Sequence, residues 1–279
     1  MRTMAVVGAG QMGAGIAQVA AQSGLEVLLI DVNPEFVQKG LSGIRSQLEK
    51  AVGKGKLKAE EAQATLGRLR AGGVEDARSA QFAVEAVTEN EDVKKKVFQG
   101  LAKAMPQDAV LATNTSSIPI TRIAATVVNP ERVIGMHFMN PVPVMQLVEI
   151  IRGVQTSDAT YAATRALAER MGKTTELSKD MPGFIVNRIL IPMLNEACFA
   201  VMEGVASPED IDTAMKLGTN QPMGPLTLAD FIGLDTCLFI AEVLHKGLGE
   251  DKYRPAPLLR QYVEAGWLGR KTKRGFHRY

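Results

Sequence analysis

Short apolar runs separated by longer amphipathic stretches set the rhythm of the chain up to Gly183. Met4–Val7, Val27–Ile30, Phe82–Val87, Ala109–Ala112, Val133–Met136 and Leu147–Ile151 are the runs, and their near-continuous apolar character predicts strands buried on both faces. Helices are predicted between them, the first from Gln11 to Ser23. Strands alternating with helices imply a mostly parallel α/β sheet covered on both sides.

The rhythm changes after Asp180-Met181-Pro182-Gly183. A long apolar stretch from Phe184 to Met202 predicts a helix. Ser207-Pro208-Glu209-Asp210 predicts the start of another, with Ser207 as N-cap and Pro208 at the first helical position. Gly218 and Gly247 are read as the stops of the helices before them. The division is therefore residues 1–183 as an α/β domain and 184–279 as a smaller all-helical domain.

Between Pro34 and Arg70 the composition is helical and too long for one crossover helix, so a helical insertion is expected. From Lys39 to Lys58, the cations Lys39, Arg45, Lys50, Lys54, Lys56 and Lys58 are set against Glu49 alone. A solvated hairpin and a docking surface for a phosphorylated ligand both fit these charges.

Composition narrows the classes. Of 279 residues, 46% are hydrophobic and 22% charged, a globular balance. A net charge of +2 gives no reason to expect nucleic acid or a membrane surface as partner. No apolar run approaches the ~20 residues that span a bilayer. Cys198 and Cys237 provide neither a disulfide framework nor metal-ligand spacing, and a cytoplasmic, reducing setting is expected.

Gly8-Ala9-Gly10-Gln11-Met12-Gly13 follows the first strand and opens the first helix, the setting in which GxGxxG binds a dinucleotide. Gly8 allows the turn, Gly10 lets the backbone approach a pyrophosphate, and Gly13 lets helix and strand pack closely. The helix N-terminus then meets the phosphates with N–H groups and a positive dipole end. Asp31, at the end of the second strand, is placed to accept hydrogen bonds from an adenosine ribose. Its charge repels a 2′-phosphate, and Val32-Asn33-Pro34 contains no arginine, so NAD is favoured over NADP. The fold expected is a Rossmann-type doubly wound sheet with a helical insertion, followed by the all-α domain.

The three histidines, His137, His245 and His277, have no zinc-ligand spacing. No Tyr-x-x-x-Lys is present either; Tyr161 is followed four residues on by Arg165. His137 lies at the end of one apolar run, and Glu149 lies inside the next. A carboxylate there is costly unless paired. If the two strands are neighbours, Glu149 orients His137, and the imidazole can take a hydroxyl proton as hydride leaves the adjacent carbon. A hydrogen-bonded core pair with no chemical role fits the same spacing. Thr113-Asn114-Thr115-Ser116-Ser117 follows a strand at the carboxyl end of the sheet; a helix N-cap cluster is its plainer reading. Asn187, polar in an apolar helix start, needs hydrogen-bond partners that a cleft between domains would provide.

These segments together resemble the L-3-hydroxyacyl-CoA dehydrogenase family, with bacterial 3-hydroxybutyryl-CoA dehydrogenases as the nearest group. The matching text is GAGQMGAGIAQ from Gly8, NTSS from Asn114, GMHFMNPVPVMQLVEII from Gly135 and PGFIVNRILIPMLNEA from Pro182. EDIDTAMKLG from Glu209, PMGPLTLADFIGLD from Pro222 and AGWLGRKTKRGF from Ala265 extend it along the chain. The resemblance implies an enzyme interconverting L-3-hydroxyacyl-CoA and 3-oxoacyl-CoA with NAD. It implies His137 as general acid/base, Glu149 as its orienting partner, and Ser116 and Asn187 on the reacting oxygen or thioester carbonyl. It further implies Glu89, Lys94 and Asn140 around the ribose and nicotinamide, and Lys50 and Lys54 on the CoA phosphates. A homodimer or dimer-based oligomer is implied through the helical domain. His277 stands where relatives carry an aromatic residue, and Glu91-Asp92 makes the segment before Lys94 unusually acidic. A dehydrogenase of a free hydroxy or sugar acid, or an NAD-binding protein without turnover, are the competing readings.

Overall fold

The computed structural model describes residues 1–279 and divides them into two compact units, Met1–Met181 and Pro182–Tyr279. In the first unit, β1 (Thr3–Val7), α1 (Gln11–Gln22), β2 (Glu26–Ile30), α2 (Pro34–Gly53), α3 (Ala59–Gly67) and β3 (Leu69–Gly72) come first. β4 (Phe82–Glu85), α4 (Glu91–Ala104), β5 (Val110–Thr113), α5 (Ile120–Ala124) and β6 (Val133–Phe138) follow. β7 (Leu147–Arg152), α6 (Asp158–Arg170) and β8 (Thr174–Lys179) complete the unit.

These strands form one sheet in the order β3-β2-β1-β4-β5-β6-β7-β8. β1 to β6 run parallel; β7 is antiparallel to β6 and pairs in parallel with β8. The chain winds outward from β1 to β3 and returns to β4 on the other side of β1. That reversal opens a crevice at the carboxyl ends of β1 and β4, where sheets of this kind hold ligands. Met4, Val6, Leu29, Phe82, Val84, Ile134, Met136 and Ile150 fill the main core with Ile16 and Ala20 of α1.

The expected helical insertion is a two-helix crossover from β2 to β3. Asn33 caps α2 by accepting from Glu35 N, and Pro34 takes the first turn. Val37, Gly40, Ile44 and Leu48 face inward at helical spacing, leaving the lysines outside. The sequence reading missed the strands at both sheet edges. Leu69–Gly72 and Thr174–Lys179 carry too little apolar surface to announce themselves, because an edge strand faces solvent along much of its length.

The second unit contains α7 (Val186–Met202), α8 (Pro208–Thr219), α9 (Pro225–Ile232), α10 (Leu234–Leu248) and α11 (Pro257–Glu264). Ile191, Leu194, Cys198, Leu226, Leu234, Leu244 and Leu259 form its core. Burial pushes the Cys198 thiol up and the Cys237 thiol up to about 12, so both are unreactive packing residues. Ser207 caps α8 by accepting from Asp210 N.

Both predicted stops are corrected. Gly218 and Gly247 lie inside α8 and α10, and the left-handed residues beyond those helices are Asn220 (φ 56°) and Gly249 (φ 69°). Gly247 is required for another reason, since a Cβ there would stand 2.7 Å from Pro182 Cγ. The helix expected from Phe184 starts at Val186, because Gly183 and Phe184 both have positive φ. His277 also has a structural account. Its Nε2 lies 2.9 Å from Asp212 Oδ2, while Asp230 accepts from the Phe276 and His277 backbone N–H groups.

Candidate active site

The turn from β1 into α1 is built on glycine. Gly8 has φ +104°, and a Cβ on it would stand 2.5 Å from the Ala86 carbonyl oxygen beyond β4. A Cβ on Gly13 would stand 1.7 Å from the Gly8 carbonyl oxygen, so helix and turn are in direct backbone contact. Gly10 differs: its Cβ would meet no protein atom within 4 Å. Gly8 and Gly13 are therefore glycines of packing, and Gly10 is the glycine of a cradle. Met12 packs partly buried against the core.

Asp31 closes this turn from β2. Its Oδ2 accepts from Ala9 N at 2.7 Å and its Oδ1 from Val32 N at 2.8 Å. A carboxylate beside an open glycine cradle at a helix N-terminus fits the ribose and pyrophosphate of a dinucleotide. Gln11, in the first turn of α1, donates from Nε2 to Asn140 Oδ1 at 3.1 Å, linking the cradle to the β6–β7 loop.

A second cluster follows β4 and β5. Glu89 receives Ser116 N at 2.9 Å, Ser117 N at 3.1 Å, Ser117 Oγ at 2.9 Å and the Thr115 hydroxyl. Burial alone would raise its carboxyl. The Lys94 charge and the Thr115, Ser117 and Ser116 hydrogen bonds outweigh burial and hold it below the ordinary value. The N-cap reading of Thr113–Ser117 is thus corrected: Thr115, Ser116 and Ser117 wrap a carboxylate. α5 begins at Ile120, and its Ile120 and Thr121 N–H groups donate to Asp180 instead.

Lys94 is 1% exposed, with Nζ 2.7 Å from Glu85 Oε1 and 3.4 Å from Glu89 Oε2. The acidic residues before it do not compete for this ammonium. Glu91 pairs with Lys95 and Arg122, while Asp92 is exposed. Asn114 accepts from Phe138 N at 2.8 Å, pinning the backbone beside His137.

β6 and β7 place His137 directly opposite Glu149 in register. His137 Nδ1 lies 2.8 Å from Glu149 Oε2; the histidine side chain is 10% exposed and that of Glu149 fully buried. In the neutral ring, a proton on Nδ1 shared with the carboxylate puts the lone pair on Nε2. That is the arrangement of an oriented acid–base imidazole.

His137, Glu149, Ser116, Asn114, Glu89, Lys94, Asn140 and the glycine turn all belong to the sheet unit. Asn187 is the second residue of α7 in the helical unit and half-buried. Lys50 and Lys54 are exposed at the end of α2, Lys54 as its C-cap. Glu85 escaped the sequence reading, although it carried the signal that singles out Glu149: a carboxylate within an apolar run.

Comparison with known proteins gives this geometry a family. Residues 3–181 match the 3-hydroxyacyl-CoA dehydrogenase NAD binding domain, and residues 183–279 match the C-terminal domain of the same family. The chain is 55% identical to a probable 3-hydroxybutyryl-CoA dehydrogenase of Bacillus subtilis, covering 100% of this chain and 98% of that one. It is 52% identical to a 3-hydroxybutyryl-CoA dehydrogenase of Bradyrhizobium diazoefficiens, covering 100% and 96%. The crystal structure of (S)-3-hydroxybutyryl-CoA dehydrogenase from Ralstonia eutropha superposes with a TM-score of 0.98 at 49% identity, covering 100% and 99%. The chain belongs to the 3-hydroxyacyl-CoA dehydrogenase family, and is an oxidoreductase with an NAD-binding domain.

Proposed function

We propose that this enzyme interconverts L-3-hydroxyacyl-CoA and 3-oxoacyl-CoA, with 3-hydroxybutyryl-CoA and acetoacetyl-CoA as the favoured pair and NAD as the preferred cofactor. The single observation that supports the chemistry most is the 2.8 Å contact between His137 and the fully buried Glu149 on paired strands. In oxidation His137 takes the hydroxyl proton at Nε2; in reduction it returns that proton to the carbonyl oxygen. Glu149 holds the ring and faces the imidazolium with an opposite charge. Ser116 and Asn187 hydrogen-bond the substrate oxygens. Gly10 and Asp31 hold the adenosine side of the cofactor on the turn that Gly8 and Gly13 pack, and Glu89, Lys94, Asn114 and Asn140 its nicotinamide side. NAD, held by these residues, would provide the hydride acceptor in oxidation and the hydride donor in reduction. Asp31 disfavours a 2′-phosphate. Lys50 and Lys54 pair with the CoA phosphates.

A homodimer would form through the helical unit, where Ile189, Leu217 and Phe231 are among the exposed apolar side chains. Substitution His137→Ala tests the central assignment. Turnover of acetoacetyl-CoA should fall about 10²–10⁴-fold while NADH still binds. Near-wild-type turnover would remove His137 from the chemistry.

A further inference from the structure

Glu85 ends β4 at the crevice between β1 and β4, and is fully buried. Its Oε1 accepts from Lys94 Nζ and from Val87 N, both at 2.7 Å. Its Oε2 accepts from Thr113 Oγ1 at 2.7 Å, and Thr113 Oγ1 in turn accepts from Thr115 N at 3.1 Å. One hydrogen-bonded path therefore runs from Glu85 through Thr113 to the loop that carries Ser116. A second runs through Lys94 to Glu89, the carboxylate that the same loop encloses.

Charge explains why a buried ion belongs here. Lys94 stands between two carboxylates and lies closer to Glu85 than to Glu89. With Glu85 neutral, Glu89 would be the only carboxylate paired with that ammonium. The ammonium would then draw Glu89 off the donors of Thr115, Ser116 and Ser117. An amide at position 85 also has one acceptor oxygen instead of two. If that oxygen stays with Lys94 and Val87, a donor NH2 faces Thr113, whose hydroxyl must reverse.

We infer that Glu85 is a positioning residue of the dehydrogenase, which sets Ser116 and Glu89 through Thr113 and Lys94 without touching substrate or cofactor. This rests on the function proposed above, with Ser116 at the substrate and Glu89 at the cofactor.

The test uses the full-length enzyme and the variants E85Q, T113V, T113S and E85Q/T113V. NADH affinity is read by fluorescence titration, kcat and KM with acetoacetyl-CoA, and Tm without ligand. E85Q and T113V should each weaken NADH binding or kcat/KM by about ten- to a hundredfold, the effect of disrupting a hydrogen bond to a charged group. The double variant should lose less than the product of the two, because both cut one path. T113S, which keeps the hydroxyl, should recover most of the T113V loss.

A fall in Tm with NADH affinity and kcat/KM unchanged would overturn the positioning role and leave Glu85 a fold residue. Independent, multiplying losses would also overturn it. A wild-type enzyme that reduces no thioester would refute the proposed function instead. NADH affinity of the same variants would then decide the Glu85 inference by itself.

Discussion

Replacing Glu149 by glutamine keeps the shape of the side chain and removes its charge. Glu149 is fully buried and lies 2.8 Å from His137 Nδ1, so water screens the pair poorly. With charge centres about 4 Å apart and an effective dielectric near 20, an imidazolium gains about 4 kcal/mol from that carboxylate. A neutral imidazole gains little. If the imidazolium is fully formed in the transition state, losing this term costs about 10³ in kcat, and partial proton transfer gives proportionally less. The glutamine can also present its NH2 to Nδ1, which selects the wrong tautomer and adds to the loss. NADH affinity should stay near wild type, because the substitution acts on the ring and leaves the glycine turn and its Asp31 contacts unchanged. Stopped-flow reduction of acetoacetyl-CoA, paired with NADH titration, separates the two effects. A Glu149→Gln enzyme within about threefold of wild-type kcat, well short of the ~10³ expected, would refute the argument that this carboxylate serves the chemistry.

Other expectations follow from the same geometry. Gly13→Ala puts a methyl 1.7 Å from a carbonyl oxygen and should lower stability by about 1–3 kcal/mol or more. Gly10→Ala meets no protein atom and should melt near wild type while losing NADH affinity; equal behaviour of the two in thermal melts and NADH titrations would contradict the division between packing and cradle. Replacing Lys50, Lys54 and Lys56 together by alanine should raise KM for acetoacetyl-CoA and leave kcat largely intact, and an unchanged KM at low salt would exclude phosphate docking there. Glu89 has its folded-state carboxyl below the ordinary value of 4.5, so its contribution to stability is present above that pH and fades as pH falls through the folded value. Melting of the ligand-free protein across the acid range should therefore show a shallower decline for Glu89→Gln than for wild type, whereas parallel curves would deny Glu89 its native hydrogen bonds.

Sequence patterns carried some parts of the molecule further than others. An apolar run containing one carboxylate is a strong signal, and the register that sets Glu149 opposite His137 follows from two adjacent strands with a short loop. The same signal at Glu85 has no nearby side-chain partner in sequence. Its partners, Lys94 and Thr113, lie 9 and 28 residues away and meet it only once β4, α4 and β5 pack. Thr113–Ser117 was legible as polar and well placed, but not as a cage for Glu89, because backbone N–H groups leave no trace in side-chain identity. Edge strands β3 and β8 were invisible to a search for buried runs. The glycine stops failed since glycine in a helix can answer a close approach, as Gly247 does against Pro182, while Asn220 served as a left-handed end.

The measurement that bears most directly on the central claim is NADH oxidation with acetoacetyl-CoA, run beside NADPH and beside free acetoacetate. Fast loss of NADH is expected with the thioester, little with free acetoacetate, and slow turnover with NADPH, whose 2′-phosphate the Asp31 charge would repel. Equal or faster turnover of the free acid would contradict the CoA thioester as substrate. No oxidation with the thioester by protein that binds NADH would contradict the proposed reaction itself.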